Sequence, residues 1–130
     1  MSLSPARRLG IWSLRLDAAY CLILGVLVAA AAPQIATVMR VPLPLLFAAG
    51  IIVVVWACAV LWMVSRLRLA PALRLVLGVN IVATALIGAA SVVAETPVIA
   101  IVVLAVALEV ALFAVSQAIA VRGLARGRTA

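Results

Sequence analysis

The 130-residue chain is 70% hydrophobic and only 10% charged, against roughly 45–50% apolar and about 25% charged residues in soluble domains. A fold of 13.4 kDa has too little interior to hide that much apolar surface from water, which excludes an ordinary water-soluble globule and makes lipid the surrounding medium. Ten arginines against Asp17, Glu95 and Glu109, with no lysine or histidine, give a net charge of +7; no zinc pattern, aromatic stacking platform or other nucleic-acid motif accompanies it, so the charge is read as a membrane-topology signal rather than a nucleic-acid footprint.

Charged residues divide the chain into four uncharged windows, 18–39, 41–65, 75–94 and 96–121, the last broken only by Glu109. Each matches or exceeds the roughly 20 apolar residues that a helix needs to cross a bilayer. The windows are continuously apolar, without the alternation of membrane strands, and a helix satisfies its own backbone in lipid. The predicted spans are 12–32, 44–64, 73–94 and 98–121, within one domain over residues 1–130.

Helix one carries Asp17, Cys21, Gly25 and Ala29 at successive steps of four, a face that is small apart from its acid and on which a neighbour's backbone can approach closely. Arg74 or Arg122 is the expected partner of Asp17, in an interfacial ion pair. The basic start, the apolar run and Ala29–Ala32 imitate a secretory signal peptide. Asp17 at the head of the run, the length of the run, and Pro33 directly after the would-be cleavage site argue for a retained helix. Pro33 with Gln34 closes this helix, and Pro42 and Pro44 open the next. Helix two offers little polarity beyond Cys58 and Ser65, and is expected to supply more of the lipid contact. Trp12, Tyr20, Trp56 and Trp62 are read as aromatic anchors or lipid-facing bulk. Cys21 and Cys58 have neither a CxxC spacing nor a histidine for a metal site, and are expected to pack as small hydrophobes.

A basic turn from Ser65 to Pro71 leads to helix three, with Asn80, Thr84, Gly88, Ser91 and Glu95 spaced along one side. Glu95-Thr96-Pro97 makes the last turn, and helix four sets Ala105, Glu109, Phe113, Ser116 or Gln117, and Ala120 on one side. The polar faces of helices one, three and four are expected to meet. At about 1.5 Å rise per residue, Asp17, Asn80 and Gln117 fall at similar depth in the inner half of the bilayer. Glu109 falls near the midplane beside Thr84, with Asn80 or Thr84 as its expected hydrogen-bond partner. Asp17, Asn80, Thr84, Glu109 and Gln117 therefore form the candidate intramembrane polar cluster, since an acid at that depth is costly and marks a site by default. Glu109 is read either as a protonated acid bonding helices together or as a proton- or cation-exchanging carboxylate.

Short links make consecutive helices antiparallel neighbours, giving an all-α, up-down bundle of four transmembrane helices. Arg7, Arg8, Arg15, Arg66, Arg68, Arg74, Arg122, Arg126 and Arg128 lie on one side and only Arg40 on the other, so both termini are expected in the cytoplasm. Enzymatic chemistry is not expected: there is no HExxH, phosphate-cradling glycine loop, GxSxG or axial histidine, and no cofactor or metal site is predicted.

Arg15-Leu16-Asp17-Ala18 at the start of helix one, Pro42 and Pro44 before helix two, Gly78-Val79-Asn80 in helix three and Gln117 in helix four resemble small uncharacterised four-helix integral membrane proteins of high-GC bacteria. The resemblance covers nearly the whole chain and implies a multi-pass inner-membrane protein. A second resemblance is to small multidrug exporters, four-helix chains of this size built around an acid in helix one; Asp17 is the matching position, although it sits near the start of the helix rather than deep within it. The leading expectation is a plasma-membrane protein that works by packing against a second copy or a larger membrane-protein partner, with membrane lipid around it. The alternative is a small proton-coupled transporter or channel using Glu109.

Overall fold

A computed structural model describes residues 4–129, with the side chains of Arg128 and Thr129 outside the described set; the contribution of Arg128 to the basic end thus lies outside the described residues. The chain forms α1 (Pro5–Ala30), α2 (Ala32–Val38), α3 (Leu43–Arg66), α4 (Leu69–Ala90) and α5 (Pro97–Thr129), with a 3-10 turn at Ser91–Val93. Four helical segments, Pro5–Ala30, Leu43–Arg66, Leu69–Val93 and Pro97–Gly127, are long and apolar enough to cross a membrane. They are the mark of a multi-pass membrane protein.

The helices overrun the predicted spans at several ends, because charge marks where lipid stops rather than where a helix stops. Ser4 caps α1, its side chain accepting the Arg7 N–H at 3.3 Å, and Pro5 occupies the first helical position, where a missing N–H costs nothing. The helix therefore begins seven residues before position 12. At the other end, the Pro33 ring cannot follow in an unbroken helix. The chain turns at Ala31, and Pro33 falls instead in the first turn of the short α2. Helix four continues past Val121 to Thr129, carried by Arg122, Leu124, Ala125 and Arg126, residue types that favour helix.

α1 packs chiefly on α3 and α4 on α5, and the two pairs join mainly along α1 and α5. Helix two is thus the main packing partner of helix one, while most of its surface still faces outward, with Leu45, Ile52 and Val55 exposed. The contact is made by the small face itself: a Cβ on Gly50 would lie 2.5 Å from the Ala29 nitrogen and 2.7 Å from the Gly25 carbonyl oxygen. Only glycine lets the two backbones come this close. Nearer the chain termini, Leu14, Ala18, Val60, Met63, Leu73 and Val76 form a buried core. Trp56 packs against it rather than facing lipid, and its Nε1 is buried with no hydrogen-bond partner among the described residues, whereas Trp12 and Trp62 are exposed.

At the far end, the link after α2 meets the link before α5. Met39 and Ala94 form an isolated β-bridge. The Arg40 N–H donates to the Val93 carbonyl and the Glu95 N–H to the Val38 carbonyl, each at 3.0 Å. N–H groups in the two links thus pair with carbonyls left open at the ends of α2 and the 3-10 turn.

Candidate functional site

Helices α1, α4 and α5 each contribute one polar residue to a buried clasp. Asp17 is 1% exposed, Asn80 2% and Gln117 0%. Asn80 Nδ2 donates to Asp17 Oδ2 at 2.6 Å and to Gln117 Oε1 at 3.2 Å, and Gln117 Nε2 donates to the same carboxylate oxygen at 2.8 Å. The Cys21 thiol, one turn along α1, donates to Asp17 Oδ1 at 3.5 Å. Every recorded partner of Asp17 is therefore a neutral donor, and the ion pair expected with Arg74 or Arg122 does not form. Both arginines are exposed, where water and headgroups solvate a guanidinium far better than the interior does.

The remaining two residues of the candidate cluster stand apart from the clasp. Thr84 is half-buried and turns its hydroxyl back onto its own helix, donating to the Asn80 carbonyl at 2.8 Å, a common resting place for a threonine inside a helix. Glu109 is exposed and bonds neither Asn80 nor Thr84; its Oε2 accepts a short hydrogen bond from the Tyr20 hydroxyl. Eight residues separate Glu109 from Gln117, a rotation of about 80° around the helix, enough to turn the carboxylate from the clasp toward α1.

That rotation creates a second polar locus. Glu109, Tyr20, Ser13, Ser116 and Phe113 line part of an open crevice of about 500 Å³ between α1 and α5, otherwise walled by apolar residues such as Leu9 and Leu112. The Tyr20 and Phe113 rings lie 5.6 Å apart at 51°. Ser116 donates to the Phe113 carbonyl at 2.8 Å, which leaves Ser13 to donate to Ser116 Oγ at 2.6 Å. Tyr20 is thus also a hydrogen-bond partner of α5. The sequence carried signals for both pairs: Tyr20 is the chain's lone tyrosine, and Ser116 recurs seven residues after Glu109, almost two turns, hence on the same side.

Cys21 and Cys58 are free thiols, the first half-buried beside Asp17 and the second exposed. Among the described residues, no group of three Cys, Asp or Glu side chains is arranged to hold a metal ion. The architecture is that of a small four-span membrane protein fastened by an internal amide–carboxylate clasp. No family model, curated protein or solved structure matches the chain.

Proposed function

We propose that this is a non-enzymatic membrane protein that works by packing its helices against a second copy or a larger membrane-protein partner. The spans run alternately up and down in the plasma (inner) membrane, with both termini in the cytoplasm. Two features support this orientation: nine of ten arginines gather toward one side, and the links carrying Met39 and Ala94 meet at the other.

The observation that carries the association is the contrast among glycines. Gly25 and Gly50 are consumed by packing within the chain, whereas a Cβ on Gly78 of α4 would meet nothing within 4 Å. Around it, Leu75, Ile81 and Val82 are exposed. In lipid there is no solvent-driven force between helices, and a flat apolar face opened by glycine is what permits close backbone approach. In native membranes, bifunctional cross-linking through the exposed Cys58 should give a detergent-resistant higher species. Gly78→Ile should weaken it severalfold without destabilising the monomer. A strictly monomeric, partnerless chain in native lipid removes this reading.

The Glu109 crevice supports a second reading, a small proton-coupled transporter or channel. There the carboxylate is reachable from outside the bundle and held by one hydroxyl, so a proton or cation can exchange at it without dismantling the clasp. Reconstituted vesicles should then show pH-driven flux that Glu109→Gln abolishes and Tyr20→Phe reduces. If Tyr20 and Glu109 only tie α1 to α5, Tyr20→Phe costs about 1 kcal/mol of stability and flux is absent in every variant. Flux that survives loss of both Glu109 and Asp17 eliminates the carboxylate mechanism.

A further inference from the structure

A second hollow lies at the basic end of the molecule, away from both polar loci. It encloses about 1090 Å³ between the start of α1, the turn into α4 and the last turns of α5, and its lining includes Arg7, Arg68 and Arg74. Among the described residues its wall contains no acidic side chain. All three acids of the chain are engaged or placed elsewhere: Asp17 in the clasp, Glu109 beside Tyr20, and Glu95 at the Met39–Ala94 end. Three arginines that stay charged at any physiological pH thus line one hollow with no acidic side chain among its described residues.

Two further features select the sign and character of what fits. No side chain caps α4, whose first residues Leu69 and Ala70 form part of the wall. The positive end of that helix and its unbonded amides therefore add to the field of the arginines. The rest of the wall is greasy, with Ile11, Val64 and Leu124 among its residues. A fully hydrated anion gains nothing from such a surface; an anion attached to hydrocarbon does.

We propose that this hollow binds the phosphate of an anionic phospholipid, with Arg7, Arg68 and Arg74 around the headgroup and the lipid's chains against the apolar wall. Planar guanidinium groups suit phosphate oxygens through paired N–H donors, and basic pockets between spans at the cytoplasmic face are recognised headgroup sites. The site is independent of the proposed helix association, since it requires only the monomer.

The full chain in mixed micelles, released for native mass spectrometry, tests this directly. Phosphatidylglycerol should be retained in preference to phosphatidylcholine, and each Arg→Gln change in the hollow should lower its affinity about fivefold. The combined variant Arg7→Gln/Arg68→Gln/Arg74→Gln should abolish the preference. A matched variant, Arg15→Gln/Arg66→Gln/Arg122→Gln, removes the same charge from the same end but from outside the hollow, and should keep it. Equal losses in the two triple variants would reduce the effect to general surface attraction and overturn the site. Displacement of the lipid by equimolar inorganic phosphate would overturn the lipid assignment in favour of a free-phosphate site.

Discussion

Gly50→Leu is expected to destabilise the folded chain more than substitution at any other single glycine. Alanine there already drives a methyl group into the Ala29 nitrogen and the Gly25 carbonyl, both backbone atoms on the facing helix that no rotamer change can move aside. The helices must separate, and with them goes the contact that holds α1 to α3. Overpacking of this kind costs about 1–3 kcal/mol, so Gly50→Ala should fall in that range and leucine at its upper end or beyond. Unfolding by a graded denaturing detergent, followed by tryptophan fluorescence, measures the loss. Gly78→Ala is the internal control: nothing lies within reach of the new methyl, and helix propensity alone predicts a gain of about 0.8–1 kcal/mol. Equal losses at both positions would mean that close approach is not what Gly50 provides.

Asp17→Ala is the second large effect. It removes the acceptor for two buried amides, Asn80 Nδ2 and Gln117 Nε2, and leaves a gap between three helices. Leaving a buried donor unpaired costs about 1–3 kcal/mol in soluble proteins, while interhelical bonds in a membrane average about 0.6 kcal/mol and reach about 1.7. A total of about 1–3 kcal/mol follows. Asp17→Asn should lose less, because a carbonyl oxygen remains. The combined change Asp17→Leu/Asn80→Leu/Gln117→Leu should recover much of the deficit, since no orphaned group is left behind. A triple variant less stable than Asp17→Ala would show that the three side chains are required for shape rather than for mutual satisfaction.

The four spans were legible because lipid makes a simple demand, about 20 apolar residues between charges, and 41–65 or 96–121 meet it almost without exception. Depth was legible too: counting rise from the helix ends sets Asp17, Asn80 and Gln117 level, and they are the three that bond. Rotation about each helix axis was not. A step of four residues overshoots a turn by about 40°, so the series Asp17, Cys21, Gly25, Ala29 winds around α1, its acid toward α4 and α5 and its glycine toward α3. The same drift carries Glu109 off the face of Gln117 and over to Tyr20. Gly50, the lone glycine of its window, was the available hint that helix two is packed closely on one side.

The clasp also constrains how the chain is made. Asp17 is separated from Asn80 by 63 residues and from Gln117 by 100. At a synthesis rate of about 5–20 residues per second, roughly 5–20 s pass between the appearance of the acid and that of its last partner. Over the first 63 residues of that stretch only Cys21, translated four residues later, is at hand, and Asn80 joins it before Gln117 is made. The clasp is therefore complete only once the fourth span has been made, and the first three cannot close it by themselves.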